Sequence, residues 1–349
     1  MQPQGTPNMK KYDVYGIGSA LVDFEFEVSP QILKKYKIEK GVMTLVDNQK
    51  QAELMQYIDG VKHHKACGGS AANTMVALSQ FGGKGFYSCR VADDEPGNFF
   101  FESLSKAGLE TNLSARDRST GHTGKCMVFV TPDADRTMNT YLGVNEQLSK
   151  NDVVEKSLKN SGYLYIEGYL AAFPSGLTAA IEAKRLAEKH EIKTSLTFSD
   201  PSMVTHCKVG LLELLGNGVD LLFCNEEEAL LFTKTKEYRK AGNNLKQYAR
   251  SYVMTRGARG ALLYDGKNEY EIDAVKTNTI DTTGAGDTFA GAFLYAIARN
   301  YSYIEAGACG AMAASKVVSR FGPRLTAKET EDILSRIPKL LKKHKGRRV

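Results

Sequence analysis

Short apolar runs alternate with longer amphipathic runs from Tyr12 onward, and this alternation restricts the possible folds more than any other feature. The apolar runs have the length and residue types of strands: YDVYGIG, FYSCRV, YLYIEGY, TSLTFS, VDLLFCN and YVMTR. The runs between them have helical spacing, as in AANTMVALSQFG and TAAIEAKRLAEKH, and the chain from Thr288 is nearly all helical in pattern. Strands separated by helices predict βαβ units. We therefore expect an α/β fold with a central, mostly parallel sheet flanked by helices.

Two segments depart from this alternation. Residues 21–46 and 123–142 have the pattern of strands with no helix between them, and the second segment contains a Pro-Asp-Ala-Asp turn. Together they predict a small antiparallel sheet that covers one edge of the main domain as a lid. In an α/β sheet, ligands bind beyond the carboxyl ends of the strands. The residues that directly follow strands are therefore the first candidates for a site.

Length and charge indicate one large domain followed by a basic tail. A chain of 349 residues with 42% hydrophobic content can bury a full core, and we expect one domain over residues 9–338, lid included. The 46 Lys and Arg exceed the 40 Asp and Glu by six, and residues 339–349 carry six cations and no acid. We expect a flexible, solvated tail there, because a nucleic-acid-binding face would interleave cations with aromatic residues. Nucleic-acid binding through the tail is the weaker alternative.

Several other protein classes are excluded by missing motifs. The six cysteines form no CxxC pair and no zinc-type spacing with histidine, which predicts reduced thiols in a cytoplasmic protein. The sequence contains no stretch of 18 apolar residues, so no membrane span is predicted. Gly16-Ile17-Gly18 begins like a dinucleotide-binding fingerprint but lacks the third glycine, and no Walker A motif occurs. Rossmann redox enzymes and P-loop proteins are therefore both excluded.

The strongest local signal is Asp281-Thr282-Thr283-Gly284-Ala285-Gly286-Asp287, which leads directly into the helical run TFAGAFLYAIA. Small residues there let backbone N–H groups converge at a helix N-terminus, where unpaired donors and the helix dipole bind anions. A carboxylate beside that anion can accept the proton of an attacking hydroxyl during phosphoryl transfer. The alternative is that Asp287 only caps its helix. Two acids and three small residues in one heptapeptide favour the catalytic interpretation.

Three weaker motifs lie before a predicted helix or after a predicted strand. Gly68-Gly69-Ser70-Ala71-Ala72-Asn73 permits close approach of a polyol to the backbone, with a tight packing turn as the alternative. Asn225-Glu226-Glu227-Glu228 is typical of a capping box and also offers a carboxylate for a water-mediated Mg²⁺ contact. The segment 255–261, TRGARGA, is most simply a glycine-rich turn between two strands. The six histidines show no metal-ligand spacing.

These motifs together resemble the ribokinase-like (PfkB) family of small-molecule kinases. DTTGAGDTFAGAFL is similar to the family's C-terminal signature, and CGGSAANTMVALSQFGG is similar to its N-terminal one. The resemblance runs from about Tyr12 to Pro323. It implies a ribokinase-like fold and ATP-dependent phosphorylation of a small molecule that bears hydroxyl groups.

The resemblance also implies a role for each matching residue around the transferred group. It implies that Asp287 is the catalytic base and that Gly284, Ala285 and Gly286 form the anion hole. Substrate hydroxyls are implied to bind Asp23, Gly69 and Asn73. Arg136, in the predicted lid hairpin, is implied to reach the substrate or the transferred phosphoryl group.

A second set of residues is implied to hold ATP and cations. The resemblance places Thr255, Gly257, Gly260 and Asn225 at the ATP site. It assigns Asn225 and Glu228 to Mg²⁺, through water, and the carbonyls near Asp281 and Thr283 to a monovalent cation such as K⁺.

Within the family, the chain is most similar to the adenosine-kinase branch. Thr123-Gly124-Lys125-Cys126 and Tyr165-Ile166-Glu167-Gly168-Tyr169 fall where that branch has similar segments, whereas Ser199-Asp200-Pro201-Ser202 is as similar to sugar kinases. We expect adenosine as the substrate, phosphorylated at its 5′-hydroxyl to AMP in purine salvage. Apolar residues of the lid strands, among them Phe24, Phe26, Cys126, Val128 and Phe129, would then form a wall against the base.

Two alternatives to an adenosine kinase stay open. One is a kinase of a free sugar, such as ribose, fructose or a keto sugar acid. The other is a non-catalytic sensor of a nucleoside or sugar, which the intact base and anion loop disfavour. The expected partners are the small-molecule substrate and ATP, with no nucleic acid and no membrane. The protein is expected to be a monomer or a homodimer.

Overall fold

The computed structural model describes residues 10–58, 60–61, 63–114, 118–133, 136–343 and 347–348, without the side chains at 63, 136 and beyond 337. In chain order the strands are β1 Tyr12–Ile17, β2 Leu21–Glu27, β3 Met43–Leu45, β4 His63–Gly68, β5 Gly85–Ser88, β6 Glu110–Thr111, β7 Gly124–Val130, β8 Arg136–Tyr141, β9 Ser161–Glu167, β10 Lys193–Thr197, β11 Leu221–Asn225, β12 Tyr252–Thr255, β13 Ala261–Tyr264, β14 Glu269–Ile272 and β15 Arg347–Arg348. The helices are α1 Pro30–Lys35, α2 Asn48–Tyr57, α3 Ser70–Gln80, α4 Glu95–Lys106, α5 Glu155–Leu158, α6 Pro174–Lys189, α7 Pro201–His206, α8 Lys208–Leu215, α9 Glu226–Thr233, α10 Tyr238–Leu245, α11 Ala285–Ala298, α12 Tyr303–Val317 and α13 Ala327–Lys343.

Ten strands of the described chain form the central sheet, in the order β15-β14-β13-β12-β11-β10-β9-β1-β5-β6. The strands from β12 through β11, β10, β9, β1 and β5 to β6 pair in parallel, and the pairings from β12 to β15 are antiparallel. The predicted α/β fold with a mostly parallel sheet is therefore confirmed.

Helices cover both faces of this sheet because successive side chains of a strand point to opposite sides. In β11, Leu221 and Phe223 belong to the core shared with α3, α11 and α12. Their neighbours Leu222 and Cys224 belong to the core shared with α6, α8, α9 and α10. Strands buried on both faces explain why the sequence shows continuous apolar runs there instead of alternation.

A second sheet of five strands, in the order β3-β8-β7-β2-β4, forms the lid. β2 pairs antiparallel with β4 and parallel with β7, while β8 pairs antiparallel with β7 and parallel with β3. The predicted lid is thus present. It also includes β4, which the sequence pattern did not indicate.

The prediction that residues 21–46 contain no helix is wrong, because α1 lies between β2 and β3. The reason is that one face of the lid sheet needs an apolar cover. Phe26 and Phe129 on that face pack with Leu33 of α1 and Leu54 of α2 in a separate small core, in which all four are at most 2% exposed. A sheet with one solvated face and one face against helices is stable in water, whereas a bare apolar face is not.

The C-terminal third is helical, as the sequence predicts. α13 runs to Lys343, so the expected division between domain and tail at 338/339 falls inside this helix, and Arg347–Arg348 pairs antiparallel with β14. Within the described residues, no helix has both the length and the apolar content that a membrane span requires.

Candidate active site

A cavity of about 470 Å³ lies between the lid and the carboxyl ends of the central strands. The last residues of four parallel strands line it: Glu167, Thr197, Asn225 and Thr255. From the lid side it is lined by Leu21, Asp23, Met43, Leu45, Cys126, Met138 and Thr140. This position agrees with the expectation that ligands bind beyond the strand ends.

Most of the predicted site residues meet in this cavity, although they come from distant parts of the chain. The lining includes Asp23, Gly69, Asn73, Asn225, Glu228, Thr255, Thr283, Gly284, Ala285, Gly286 and Asp287. Asp281, Gly257 and Gly260 are not among the lining residues. Arg136 belongs to β8, and its side chain lies outside the described part of the structure.

The heptapeptide loop ends where α11 begins, and Gly284 is the N-cap with a left-handed φ of 68°. A Cβ at Gly284 would lie 2.5 Å from the carbonyl oxygen of Pro323, so both φ and packing require glycine there. At Gly286, in contrast, a Cβ would meet no atom within 4 Å. Gly284 is therefore needed to form the turn, whereas Gly286 leaves open space at the helix N-terminus.

Asp287 is not the N-cap of α11, so the interpretation that it only caps its helix is wrong. Its Oδ1 accepts a hydrogen bond of 2.7 Å from the Ser70 hydroxyl, and its Oδ2 accepts one of 3.2 Å from Nδ2 of Asn73. Desolvation raises the pKa of Asp287 to about 6, although these two bonds and the charge of Arg324 act to lower it. A general base for work near neutral pH needs a pKa close to this value.

The glycines before α3 bring the backbone close to polar groups of the lid. A Cβ at Gly68 would collide with the carboxylate of Asp23. In the β2–β4 ladder Gly68 faces Leu21, two residues before Asp23. Gly69 has a φ of 91°, and a Cβ there would lie 2.4 Å from the carbonyl oxygen of Ser19. The tight packing turn predicted for this motif is therefore present, and the close approach of a polyol to its backbone stays a prediction.

Glu167 is a functional candidate to which the sequence assigned no role. It ends β9, is 0% exposed, and accepts hydrogen bonds from the backbone N–H groups of Ser19 at 3.1 Å and Ala71 at 2.8 Å. These two hydrogen bonds connect the segment just before β2, where the chain enters the lid, with the first turn of α3. Burial raises its pKa to about 7, against the lowering effect of those two amides. The sequence feature that could have identified Glu167 is the presence of an acidic residue at the end of an apolar strand.

Asn225 and Glu228 form the predicted capping box of α9. Oδ1 of Asn225 accepts a bond of 2.8 Å from the Glu228 N–H, and Oε2 of Glu228 accepts one of 2.9 Å from the Asn225 N–H. Glu228 is only 3% exposed, and burial raises its pKa to about 8, with further raising contributions from Asp200, Glu227 and Asp287. Such a carboxylate gains from a nearby cation.

Asp281, Gly257 and Gly260 shape turns next to the cavity. Asp281 accepts hydrogen bonds from the N–H groups of Thr283 at 2.8 Å and Gly322 at 2.9 Å, which ties the anion loop to the segment after α12. Gly257 and Gly260 have positive φ values in the turn after β12. A Cβ at Gly260 would lie 1.9 Å from the carbonyl oxygen of Ile272. Hydrogen bonding thus gives Asp281 a structural role, close packing does so for Gly260, and backbone conformation does so for Gly257.

Three buried carboxylates of the cavity, Glu167, Glu228 and Asp287, should make the protein less stable as pH rises. Burial raises the pKa values of Glu167, Glu228 and Asp287 to about 7, 8 and 6, well above those of exposed carboxylic acids. Between these values the folded chain holds more protons than the unfolded chain, so the free energy of unfolding falls with pH. We expect the melting temperature to drop between pH 5 and 8, and Glu167→Gln to flatten part of that drop. A melting temperature that is constant or rises over this range would show that burial does not raise the pKa values of these carboxylates.

Comparison with known proteins shows that this chain is similar to kinases in sequence and in structure. A model of the pfkB family carbohydrate kinases matches residues 40–330. The chain is 33% identical to adenosine kinase from Sinorhizobium meliloti, with a TM-score of 0.86 over 93% of this chain and 99% of that chain. It is 32% identical to a probable sugar kinase from Rhizobium etli, with a TM-score of 0.86 over 93% and 98%.

Relatives found by sequence similarity include kinases of sugars and of a sugar acid. The chain is 26% identical over 288 residues to a 5-dehydro-2-deoxygluconokinase from Halalkalibacterium halodurans, which covers 79% of this chain and 86% of that protein. The two kinds of relative phosphorylate, by their names, a nucleoside and a sugar acid. The residues that line the cavity must therefore indicate whether the acceptor is a nucleoside or a sugar acid.

Proposed function

The chain belongs to the pfkB family of carbohydrate kinases, and from this premise we propose that it is an ATP-dependent adenosine kinase. It transfers the γ-phosphoryl group of ATP to the 5′-hydroxyl of adenosine and releases ADP and AMP. The observation that carries the phosphotransfer step is the position of the Asp287 carboxylate at N3 of α11, hydrogen-bonded to Ser70 and Asn73 at the floor of the cavity.

The reaction needs a proton acceptor and an anion site, and the start of α11 supplies both. Asp287 takes the proton of the attacking hydroxyl as that oxygen bonds to phosphorus and the bond to the ADP oxygen breaks. The N–H groups of Gly286 and Asp287 occupy the first turn of α11, where a helix offers no internal acceptors. Together with the helix dipole they stabilise negative charge on the transferred group.

The residues present fit a divalent cation held with ATP. Glu228 is a buried carboxylate at the cavity, and both of its oxygens are already bonded to Asn225, which favours contact through water. Mg²⁺ supplies positive charge to the phosphates, and Glu228 and Asn225 would orient its water ligands. The K⁺ site near Asp281 and Thr283 is part of the same proposal and is tested by activity with and without K⁺.

The charges of the cavity support a neutral acceptor. Its lining contains five carboxylates, Asp23, Glu167, Asp200, Glu228 and Asp287. Among the described side chains that line it there is no Lys, Arg or His, and the side chain of Arg136 on β8 lies outside the described part. A sugar acid brings a carboxylate of its own, which needs a cation in the pocket. Adenosine and neutral sugars carry no charge, so they do not need a cation in the pocket.

The lid supports an acceptor with a flat apolar part. Leu21, Met43, Leu45 and Met138 line the cavity, and Leu45 is 45% exposed. Of the residues expected to form this wall, Cys126 lines the cavity, but Phe26 and Phe129 pack in the small lid core. Thioether and leucine side chains can pack against a purine, and free ribose has no comparable surface.

The deciding experiment compares acceptors side by side with ATP and Mg²⁺: adenosine, ribose, fructose and 5-dehydro-2-deoxygluconate. We expect kcat/KM for adenosine to exceed that for ribose by about a hundredfold or more, because the base supplies binding energy that closes the lid. A higher value for ribose or fructose would make the protein a free-sugar kinase of the same family. Absence of turnover with every acceptor, with binding intact, would favour a sensor.

A lid variant tests the apolar wall. Leu45→Ser should raise KM for adenosine by about tenfold, since burial of a leucine contributes roughly this much affinity. Val209→Ser is the matched control, because Val209 is 73% exposed on α8 and does not line the cavity. Equal KM values for the two variants would show that the lid wall does not contact the base.

A further inference from the structure

Arg324 lies behind the catalytic carboxylate, in the segment between α12 and α13. Its Nε donates a hydrogen bond of 2.9 Å to Oδ1 of Asn73, and its Nη1 donates one of 2.8 Å to the Ser103 hydroxyl. Its Nη2 is buried and has no hydrogen-bond partner among the described residues. Arg324 does not line the cavity, so any effect on the reaction passes through its neighbours.

The chemistry of arginine decides which way the Asn73 amide points. A guanidinium group has only donors, so the amide oxygen must face it. The amide nitrogen is then left facing Oδ2 of Asp287, at 3.2 Å. The flipped amide would place N–H groups against the guanidinium and an oxygen against the carboxylate, which are two repulsive contacts. The arginine thus determines that Asn73 is a donor to Asp287.

We propose that Arg324 is a positioning residue for phosphoryl transfer, which holds the Asn73 amide so that its nitrogen orients the Asp287 carboxylate toward the acceptor hydroxyl. Ser70 holds the other carboxylate oxygen, so the carboxylate is oriented from both sides. The inference rests on the proposed role of Asp287 as the base. It adds to the candidate active site a residue that lies 251 positions from Asn73 in the sequence.

The charges around the two groups are consistent with this role. Asp23, Cys67, Tyr87 and Asp287 contribute electrostatically at Arg324. Glu167, Glu228, Tyr87, Tyr165 and Tyr169 are the other ionisable groups whose pKa values respond to Asp287. The positive charge of Arg324 lowers the pKa of Asp287, so it keeps the base ionised to lower pH. Burying an arginine is costly, and a purely structural site would be filled better by an apolar side chain.

Two neutral substitutions of similar length separate hydrogen bonding from charge. Arg324→Gln keeps an N–H donor for Asn73, whereas Arg324→Met keeps none. We expect kcat to fall about a hundredfold in Arg324→Met, the cost of about 1 Å of misplacement, and to recover about tenfold in Arg324→Gln. KM for ATP should stay within about twofold of wild type in both, because Arg324 lies outside the cavity.

The pH profile gives a readout that a structural role would not move. Both neutral variants should shift the acid limb of kcat/KM upward by about one pH unit, since an opposite charge near a carboxylate is lost. Arg324→Lys, which keeps the charge, should leave the limb near its wild-type position. Ser103→Ala is the control, because it removes a partner of Arg324 that does not contact Asn73. It should leave both kcat and the limb unchanged.

Equal kcat values for the Met and Gln variants would overturn the proposal, as would a wild-type kcat in Arg324→Met. If the Met variant does not fold, Arg324→Lys is compared in the wild-type and Asn73→Ala backgrounds. The proposal expects Lys to lower kcat only where Asn73 is present, and an equal loss in both backgrounds would overturn it. The base assignment is tested separately by Asp287→Asn, so either can fail without the other.

Discussion

Asp287→Asn is expected to lower kcat by at least a hundredfold while ATP still binds. The amide has the shape of the carboxylate and can still accept one hydrogen bond, from Ser70 or Asn73. It cannot take the proton of the acceptor hydroxyl, and the loss of a general base typically costs this much. Turnover measured by ADP release, together with ATP affinity measured by calorimetry, checks both parts of the expectation.

A remote acid provides the matched control for this substitution. Asp94 caps α4 and accepts hydrogen bonds from the N–H groups of Gly97 at 2.8 Å and Thr123 at 2.9 Å, and it does not line the cavity. Asp94→Asn should cost stability and leave kcat near wild type. If Asp287→Asn kept turnover within about tenfold of wild type, Asp287 would not be the base.

Gly286→Val is expected to lower kcat by about a hundredfold or more with little change in melting temperature. The position has no positive φ, and a Cβ would meet no atom within 4 Å, so the ligand-free fold tolerates a side chain there. The space that the side chain fills is the approach of the phosphoryl group to the first turn of α11. Loss of one anion-stabilising contact typically costs a hundredfold to a thousandfold in kcat.

At Gly284, two residues earlier, adding a side chain should lower stability, in contrast to Gly286. Gly284→Ala places a Cβ 2.5 Å from the Pro323 carbonyl oxygen at a φ of 68°, so it should lower the melting temperature clearly. Thermal melts and kcat on both variants separate the two roles. A Gly286→Val protein that unfolds early but turns over normally would show that this glycine serves packing instead of the anion site.

Local signals predicted much of the site. The anion loop, the Gly-Gly junction before α3 and the capping box at Asn225 each lie within about seven consecutive residues, and each depends mainly on backbone geometry that its own residues determine. The alternation of strands and helices predicted the central sheet for the same reason. What these motifs could not show was their distance from one another.

The lid illustrates where local pattern fails. Four of its five strands were predicted, whereas β4 and α1 were not. The apolar residues of α1 gain stability only against Phe26 and Phe129 of the lid sheet. The parallel pairing of β2 with β7 joins segments about a hundred residues apart and leaves no trace in either segment. Strand pairing across such separations is decided by packing.

Residue types at short spacing were enough to identify the fold class, the family and the chemistry-bearing motifs of this protein. The packing of distant segments was needed to show that Asp287 bonds to Ser70 and Asn73 instead of capping α11, that Glu167 joins the lid entry to α3, and that Arg324 donates a hydrogen bond to the Asn73 amide oxygen. Burial and hydrogen-bond geometry shift pKa values and orient side chains only once such segments have come together.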